Sequence, residues 1–431
     1  MGAKAAILDA SRRRPYTCAI MLQPHHRQYA AAYLMDFAMI TAFTAMPFFI
    51  FDQLGGGARM SGVIAAFQSI CYAGACLATT RWISQGGRPL RWAMAGQVGF
   101  VILVPSAVFA GSPAVFAVIT LLGLSCIALF WPAMQAWIGG EPDPKIRTRR
   151  IGFYNVAWTL GLATGPLVAG PAYDYDYRLP FVIIVCAASL ALAFVATLPA
   201  EQPPARRKGQ PSDAPPPERP PDPLSEQQLY AAWCANFVSW AMIGVMRSVF
   251  PKRVDDLYQA GDLIFWAEPL RMEGALTLQA ATQFSWLAFV LYFSRTALSL
   301  AMGYTTWWHH RFGLLIVLQI AASAAFMVLG AAHSLVIMLA CCAVVGVASG
   351  ACFFASIYNS VANPKLKHKR AAIHESMVGI GSFTGSMGFG LLAGWMGASG
   401  PFLLTPLFVA AAIGVQWALL RAGRRKGGDL P

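Results

Sequence analysis

Residues 152–170 read GFYNVAWTLGLATGPLVAG, and this stretch decides the fold because a soluble helix would avoid its composition. Gly161, Gly165 and Ala169 recur at every fourth position, so they form one helix stripe with no side chain larger than methyl. In water, glycine and proline inside a helix cost about 1 and about 3 kcal/mol. In lipid, small residues let helix backbones pack closely, and neighbouring helices satisfy the groups that Pro166 frees. The stretch predicts a packed transmembrane helix with a weak point; the alternative is a plain dimerisation stripe.

The composition of the whole chain argues against a soluble globular protein. Of its 431 residues, 57% are hydrophobic and only 12% are charged, whereas about a quarter of a soluble domain is charged. The mean hydropathy is +0.53. Eight of the nine cysteines, all but Cys18, lie in apolar runs without metal-ligand or disulfide spacing, so we expect them to pack as small apolar residues.

Twelve apolar runs are long enough to cross a bilayer, which takes about 20 residues each. The first run follows a basic, polar tail and is too long for a signal peptide, so we expect it to remain as a spanning helix. The runs lie at roughly 29–50, 59–80, 90–111, 113–138, 151–172, 179–199, 229–250, 282–306, 313–331, 334–361, 371–397 and 400–421.

A linker divides these runs into two sets of six. Residues 200–228 are rich in proline and charge and have no apolar period, so they predict a disordered or extended segment. The predicted organisation is a tail at 1–28, a six-helix bundle at 29–199, the linker at 200–228, a second bundle at 229–421 and a basic tail at 422–431.

The distribution of lysine and arginine predicts the orientation. With the N-terminus in the cytoplasm, 25 of the 32 basic residues fall in inside segments and five fall in outside segments. Both termini are then cytoplasmic, and we expect a multi-pass protein of a bacterial inner membrane. Because membrane topology explains the net charge of +13, no nucleic-acid partner is expected.

The two halves repeat at an offset of 220 residues. The basic pair Arg149-Arg150 falls on Lys369-Arg370, and Pro166 falls on Ser386. Glycines match at three positions, where Gly161 falls on Gly381, Gly165 on Gly385 and Gly170 on Gly390. Six runs per half in the same direction predict parallel repeats related by an axis along the membrane normal.

The spacing of the small residues resembles the fifth-helix antiporter motif of the major facilitator superfamily, in its drug:proton antiporter branches. The matching positions are Gly152, Gly161, Gly165, Pro166, Ala169 and Gly170, with Ala169 where the motif has a glycine. The segment 81–91 resembles the loop motif between the second and third helices of this family. There, Gly87 and Arg88 fit, but Ser84 replaces an expected aspartate.

The resemblance implies an all-α membrane protein with twelve transmembrane helices in two parallel-repeat six-helix bundles. It also implies secondary active transport, by alternating access, of a small-molecule substrate driven by a proton gradient. We expect export, no cofactor and no metal, and a monomer. The fifth and eleventh helices are expected to supply glycine-lined contacts between the halves.

Apart from residues at the run ends, four Asp, Glu, Lys or Arg side chains lie within the predicted runs: Asp36, Arg247, Arg295 and Glu375. Each costs at least about 2.5 kcal/mol in hydrocarbon, so each needs a partner, a hydrated cavity or a nearby interface. Arg295 is too deep to reach the interface. It is predicted to bind an anionic group or to pair with a carboxylate that releases a proton; a purely structural ion pair is the alternative.

The two carboxylates are candidates for proton coupling. A poorly hydrated cavity favours the neutral form of a carboxyl group, and the resemblance implies that a first-helix carboxylate such as Asp36 takes the coupling proton. A structural helix contact is the alternative. Glu375 falls on Asn155 in the repeat, so both could face one cavity; otherwise Glu375 pairs with Arg370 or caps its helix.

The remaining candidates are weaker. His374 is a candidate beside Glu375, although a lone histidine in this position is more often a satisfied interfacial residue. Arg247 lies close enough to the outer surface to snorkel. Polar residues in the runs are candidates to line a cavity or to hold helices together: Gln68, Gln97, Gln135, Asn155, Asn236 and Asn359.

No enzyme motif is present. The chain has no GxxxxGK[ST] phosphate loop, no HExxH, no CxxC pair and no GxSxG, so neither ATP-driven transport nor an enzymatic activity is expected. An inward symporter or facilitator for a nutrient or an anion is the first alternative to proton-coupled efflux. A transport-dead sensor or scaffold is the second.

Overall fold

A computed structural model describes residues 23–86, 89–139, 144–199, 223–265, 279–305, 307–308, 311–361 and 367–428. Several sequence predictions lie outside these residues, namely most of the linker, the N-terminal tail up to residue 22, Gly87 and Arg88. The described chain is almost entirely helical, as the sequence predicts.

The first half contains seven α-helices. They are α1 (Pro24–Asp52), α2 (Ala58–Gly86), α3 (Pro89–Ser106), α4 (Pro113–Cys126), α5 (Phe130–Gly139), α6 (Pro144–Tyr175) and α7 (Leu179–Ala196). The short 3-10 helix Ile127–Leu129 joins α4 to α5, so these seven helices form six spans.

The second half contains eight α-helices in its described part. They are α8 (Pro223–Ser248), α9 (Phe250–Ala260), α10 (Ala280–Tyr304), α11 (Phe312–Ala331), α12 (Leu335–Val361), α13 (Lys367–Thr384), α14 (Gly390–Met396) and α15 (Gly400–Gly428). Val249 joins α8 to α9, and the π-helical turn Gly385–Phe389 joins α13 to α14, so this half also forms six spans.

The least apolar span is α6, the helix that contains the glycine stripe. By length and composition, eleven helical segments of the described chain are able to cross a membrane, and α6 is not among them. It packs against α1 on one side and α10 on the other, so much of its surface faces protein and needs less apolar character than a lipid-facing helix.

The halves meet along a seam formed by α6 against α10 and by α2 against α13 and α14. We call the end of the bundle at which α1 begins and α15 ends the terminal side, and the opposite end the distal side. Contacts across the seam are close on the distal side, where Gly62 of α2 touches Gly390 and the aromatic rings of Phe48 and Phe284 lie 5.8 Å apart.

The glycine stripe packs mainly within each half, which corrects the prediction that it lines the seam. A Cβ on Gly161 or Gly165 would clash with the backbone of α1 at Tyr33 and Phe37. In the second half, Gly381 and Gly385 pack in the same way against α8. The small residues of the stripe therefore allow close packing on the first helix of their own half.

Only the last glycine of each copy reaches across the seam. A Cβ on Gly170 would clash with Ser285 and Ala281 of α10, and one on Gly390 would lie 2.8 Å from the Cα of Gly62. Gly152 has open space around it and makes no close contact. The matched environments of the two copies agree with the 220-residue repeat.

The two copies interrupt their helices differently. Pro166 lies inside α6, which continues through it as an α-helix. Its counterpart Ser386 lies in the π-helical turn, where its hydroxyl donates to the carbonyl of Gly244 at 3.1 Å. A proline and a π-turn both perturb the regular backbone ladder, so each half has an irregular point at the same height.

Candidate functional site

Arg295 lies at the centre of the bundle with most of its guanidinium unsatisfied. Its side chain is 3% exposed, and the guanidinium carbon lies 4.5 Å from the ring centroid of Trp240 and 4.9 Å from that of Phe353. Neither Nη1 nor Nη2 has a hydrogen-bond partner among the described residues. Aromatic rings therefore stabilise the charge, while the N–H groups stay free for a ligand.

Close packing of α10 on α12 positions Arg295. Gly346 and Gly350 lie one turn apart on α12, and a Cβ on Gly350 would lie 2.5 Å from the carbonyl oxygen of Arg295. This GxxxG pair lets α10 approach closely and brings Phe353 beneath the guanidinium. The prediction that Arg295 lies too deep to snorkel agrees with its burial.

Asp36 is the carboxylate of the first half that faces this site. It is 2% exposed, and its Oδ2 atom has no hydrogen-bond partner among the described residues. Asp36 and Arg295 interact electrostatically, but no salt bridge joins them within the described chain. The two halves thus each contribute a buried charged side chain with at least one unpartnered polar atom.

His374 is fully buried and belongs to the same cluster. Its Nδ1 lies 2.7 Å from Ser356 Oγ, and its ring stacks edge-on against Phe353 at 4.9 Å. Its Nε2 has no partner among the described residues. The His374 side chain therefore packs inside the second half, with one ring nitrogen against Ser356.

Glu375 is exposed on the terminal side and still interacts electrostatically with Arg295. Neither alternative for a structural role holds. Arg370 pairs with Glu226 at 2.8 Å, and Glu375 lies eight residues beyond the start of α13. Its repeat counterpart Asn155 is also exposed, so the two matched positions of α6 and α13 share the same exposure class.

Arg247 is half-buried at the seam, so the prediction that it snorkels to the outer surface is wrong. Its Nη2 donates to Ser69 Oγ at 2.8 Å and to the carbonyl of Ala65 at 3.1 Å, both on α2 of the other half. The guanidinium also lies 4.2 Å from the ring centroid of Phe43. The sequence position near the distal end of α8 gave no indication of these partners.

The polar candidates divide between helix contacts and exposed positions. Gln68 donates to Thr120 Oγ1 at 2.9 Å and thus holds α2 against α4. Asn359 donates to Ala355 within its own helix, and Gln135 is exposed. Asn236 joins the central cluster, because its amide lies 3.5 Å from His374 Nδ1.

A small cavity adjoins the charged cluster on its distal side. It measures about 20 Å³, which is room for about one water molecule, and it lies between α1, α8 and α10. Its lining is mainly apolar: Ile40, Phe43, Met246, Phe284, Leu291 and Tyr292, with Arg247 at one edge.

Sequence reasoning missed the aromatic and tyrosine members of the site. Trp240 and Phe353 hold the guanidinium, and the hydroxyl of Tyr154 is buried without a partner among the described residues. The sequence signal that pointed to this region was the set of charged residues within the spans, Arg295, Asp36 and Glu375. Aromatic residues are common in spanning helices, so their positions alone did not distinguish ring contacts from lipid contacts.

Comparisons with known proteins agree with this architecture. Residues 29–267 match the family profile of the Major Facilitator Superfamily. The chain belongs to the major facilitator superfamily. A search of curated protein sequences found no match.

Solved structures of superfamily transporters share the fold. A bacterial homologue of the human lysosomal transporter Spinster, inward-facing and unoccupied, matches with a TM-score of 0.71 at 15% identity, covering 94% of this chain and 99% of that one. A variant of the nucleoside transporter NupG gives a TM-score of 0.72 at 10% identity, with 92% and 99% covered. A POT family transporter in complex with a thioalcohol-conjugated peptide gives 0.64 at 12%, with 93% and 96% covered. At these identities the likeness shows the fold alone.

Proposed function

We propose that this major facilitator protein is a proton-coupled transporter that exports a small organic solute by alternating access. The observation that carries the proposal is the incompletely satisfied pair of Asp36 and Arg295, which lie on different halves. A buried charge without a partner is costly, so such a pair persists where a proton or a ligand completes it. Export follows from the resemblance to drug:proton antiporters.

In the proposed mechanism, Asp36 holds the proton and Arg295 responds to its charge. When Asp36 is ionised, Arg295 is attracted to it and the halves are drawn together at the centre. When a proton neutralises Asp36, this attraction is lost and the halves separate at the centre; in the export mode the proton and the solute occupy the carrier in turn. Glu375, exposed on the terminal side, passes protons between water and the buried cluster.

The orientation and conformation belong to the same proposal. With both termini in the cytoplasm of a bacterial cell, the terminal side faces inward, and the structure is closed outward and accessible inward at Glu375 and Asn155. Two six-helix bundles, at 29–199 and 229–421, then rock about the central cluster to expose it alternately.

Transport measurements in proteoliposomes test the proposal. A panel of small organic solutes is added outside vesicles that contain a pH-sensitive dye, under an imposed pH gradient. Wild-type protein is expected to move protons only when a transported solute is present, in the direction opposite to the solute. Asp36→Asn is expected to retain solute exchange but to lose gradient-driven accumulation. Accumulation by Asp36→Asn at the wild-type level would contradict the assignment of the proton to Asp36.

A second function is inward symport or facilitated entry of an anion. The free Nη1 and Nη2 atoms of Arg295 favour it, because guanidinium N–H groups bind oxyanions. In this case proton and solute move together, so the same vesicle assay separates the two functions. A transport-dead scaffold is the remaining alternative, and any solute-dependent flux would exclude it.

A further inference from the structure

We infer that the transported solute is a small monocarboxylate with an apolar tail, bound through Arg295 while Asp36 carries a proton. This rests on the proton coupling proposed above and on the second function given there, inward symport of an anion with a proton, in place of export. It follows from the shape of the guanidinium site, from the charges around it and from the adjoining cavity.

Two aromatic rings contact the guanidinium without using its hydrogen-bond donors. The rings of Trp240 and Phe353 lie 4.5 and 4.9 Å from its central carbon. The free Nη1 and Nη2 atoms lie on the edge, and this edge matches two oxygens of one carboxylate.

The surrounding charges favour a single negative charge on the solute. Asp36 and Glu375 both interact electrostatically with Arg295, so the site already contains acidic groups. The other described cation at this position is Arg247, whose Nη2 is engaged by Ser69 and Ala65. A phosphate dianion would bring two charges to one free guanidinium and is therefore disfavoured.

The solute and Asp36 compete for the same N–H groups. An ionised Asp36 would repel a carboxylate and attract Arg295, whereas a neutral Asp36 leaves the guanidinium free and is able to donate a hydrogen bond. Binding of the anion is thus linked to uptake of one proton. The titratable and charged groups that face this pair from the neighbouring helices are Tyr72, Tyr154, Arg247, Tyr292, His374 and Glu375.

A water-sized, mainly apolar cavity lies about one helical turn from the charged pair. Ile40 lies one turn beyond Asp36 on α1, and Leu291 lies one turn from Arg295 on α10, both towards the distal side. The cavity between them is lined by apolar side chains that include Phe43, Met246 and Phe284. A tail that extends from a carboxylate at Arg295 enters this cavity as the helices separate.

Equilibrium binding to the full chain in nanodiscs, without a gradient, tests the solute class. The probes are phenylacetate, phenylacetamide, phenethylamine and phenylphosphonate, which share one ring and differ in the head group. Phenylacetate is expected to raise the unfolding temperature and to bind with measurable affinity. Butanoate and hexanoate extend the series, and each added methylene is expected to tighten binding about fourfold. Equal or tighter binding of the amide, the amine or the phosphonate would overturn the carboxylate class.

Variants locate the head group. Arg295→Lys keeps the charge but loses the flat two-pronged edge, so phenylacetate affinity is expected to fall by about tenfold to a hundredfold. Arg253→Lys is the matched control, because Arg253 donates to the carbonyl of Ala332 away from the site. Loss of phenylacetate binding in Arg247→Lys but not in Arg295→Lys would overturn the assignment. If Arg295→Lys does not fold, the head-group comparison on wild-type protein still decides the class.

The pH dependence of phenylacetate affinity tests whether binding is linked to protonation of Asp36. Between about pH 6 and about pH 8 phenylacetate stays ionised, and its affinity is expected to rise as the pH falls in wild-type protein. In Asp36→Asn the affinity is expected to lose this dependence, and an unchanged dependence would refute the role of Asp36. The proteoliposome assay described above separates the two proposals. If phenethylamine binds and drives proton flux there, proton coupling is supported and the assignment of a carboxylate solute fails. If phenylacetate binds through Arg295 but moves no protons, the carboxylate solute is supported and proton coupling fails.

Discussion

Arg247 and Ser69 join the two halves of the protein through a hydrogen bond of 2.8 Å between Nη2 and Oγ. The same hydroxyl lies 3.0 Å from Ser382 Oγ on α13, so one serine of α2 contacts two helices of the other half. Such polar contacts across a seam must break when the distal side opens. These hydrogen bonds of Ser69 with Arg247 and Ser382, the seam network, therefore stabilise the conformation in which the distal side is closed.

Replacing Arg247 tests this stabilisation. A hydrogen bond to a charged donor contributes about 1.5 to 3 kcal/mol, so Arg247→Met is expected to shift the equilibrium towards distal opening by about tenfold or more. Hydrogen–deuterium exchange of residues 58–70 is expected to be faster in the variant. Arg253→Met is the control, since its partner Ala332 lies in its own half. Equal exchange in both variants would show that the network has no such role.

Gly165 and Gly152 lie on the same helix, so alanine substitutions at the two positions distinguish the effect of packing from the effect of helix propensity. A Cβ on Gly165 would clash with Ile40 and the backbone of Phe37, whereas Gly152 has open space. Gly165→Ala is expected to lower the free energy of unfolding by about 1 to 3 kcal/mol. Gly152→Ala is expected to raise it by up to about 1 kcal/mol, because alanine is the better helix former. Thermal unfolding in detergent measures both, and equal effects would contradict the packing argument.

Gly390 is expected to control distal closure rather than stability. Gly390 packs against Gly62 across the seam when the distal side is closed. The methyl group of Gly390→Ala is therefore expected to push α14 away from α2 in that conformation only. Spin labels on the distal ends of α2 and α14 are expected to report a longer distance in this variant. Gly388→Ala is the control, because Gly388 has nothing within 4 Å. A distance unchanged from wild type would mean that the helices accommodate the methyl group.

Asp174 caps a helix of the opposite half. Its Oδ2 accepts the backbone N–H of Thr282 at 2.8 Å, in the first turn of α10, where amide groups lack helical partners. Asp174→Ala is expected to weaken distal closure by about 1 kcal/mol, and Asp174→Asn, which keeps an acceptor oxygen, by less. Faster exchange of amides 280–286 in the alanine variant measures the effect. An equal loss of amide protection in both variants would show that the negative charge of Asp174, and not its acceptor oxygen, stabilises distal closure.

The fold was predictable from the sequence because membrane spans are local in the chain. Each run of about 20 apolar residues forms its own backbone hydrogen bonds, so length and hydropathy identify it without knowledge of its neighbours. The repeat was visible because glycines that allow close helix packing recur at one offset, as with Gly161 and Gly381. Burial of Arg295 also followed from its position at the middle of a span.

The partners of those residues could not be predicted in the same way. The glycine stripe of α6 was expected at the seam, but Gly161 and Gly165 face α1. Arg247 was expected to reach the surface, but it bonds to Ser69. Which face of a helix meets which neighbour depends on its rotation and tilt, and these are determined by packing against all surrounding helices at once.

The sequence by itself determined that the chain is a duplicated bundle of spanning helices with four ionisable side chains inside it, because insertion in a bilayer depends on composition along each segment. Only the tertiary structure decided that Asp36, Arg295, Trp240 and Phe353 come together. They lie on four helices far apart in the chain, and only side-chain packing between helices brings them to one centre.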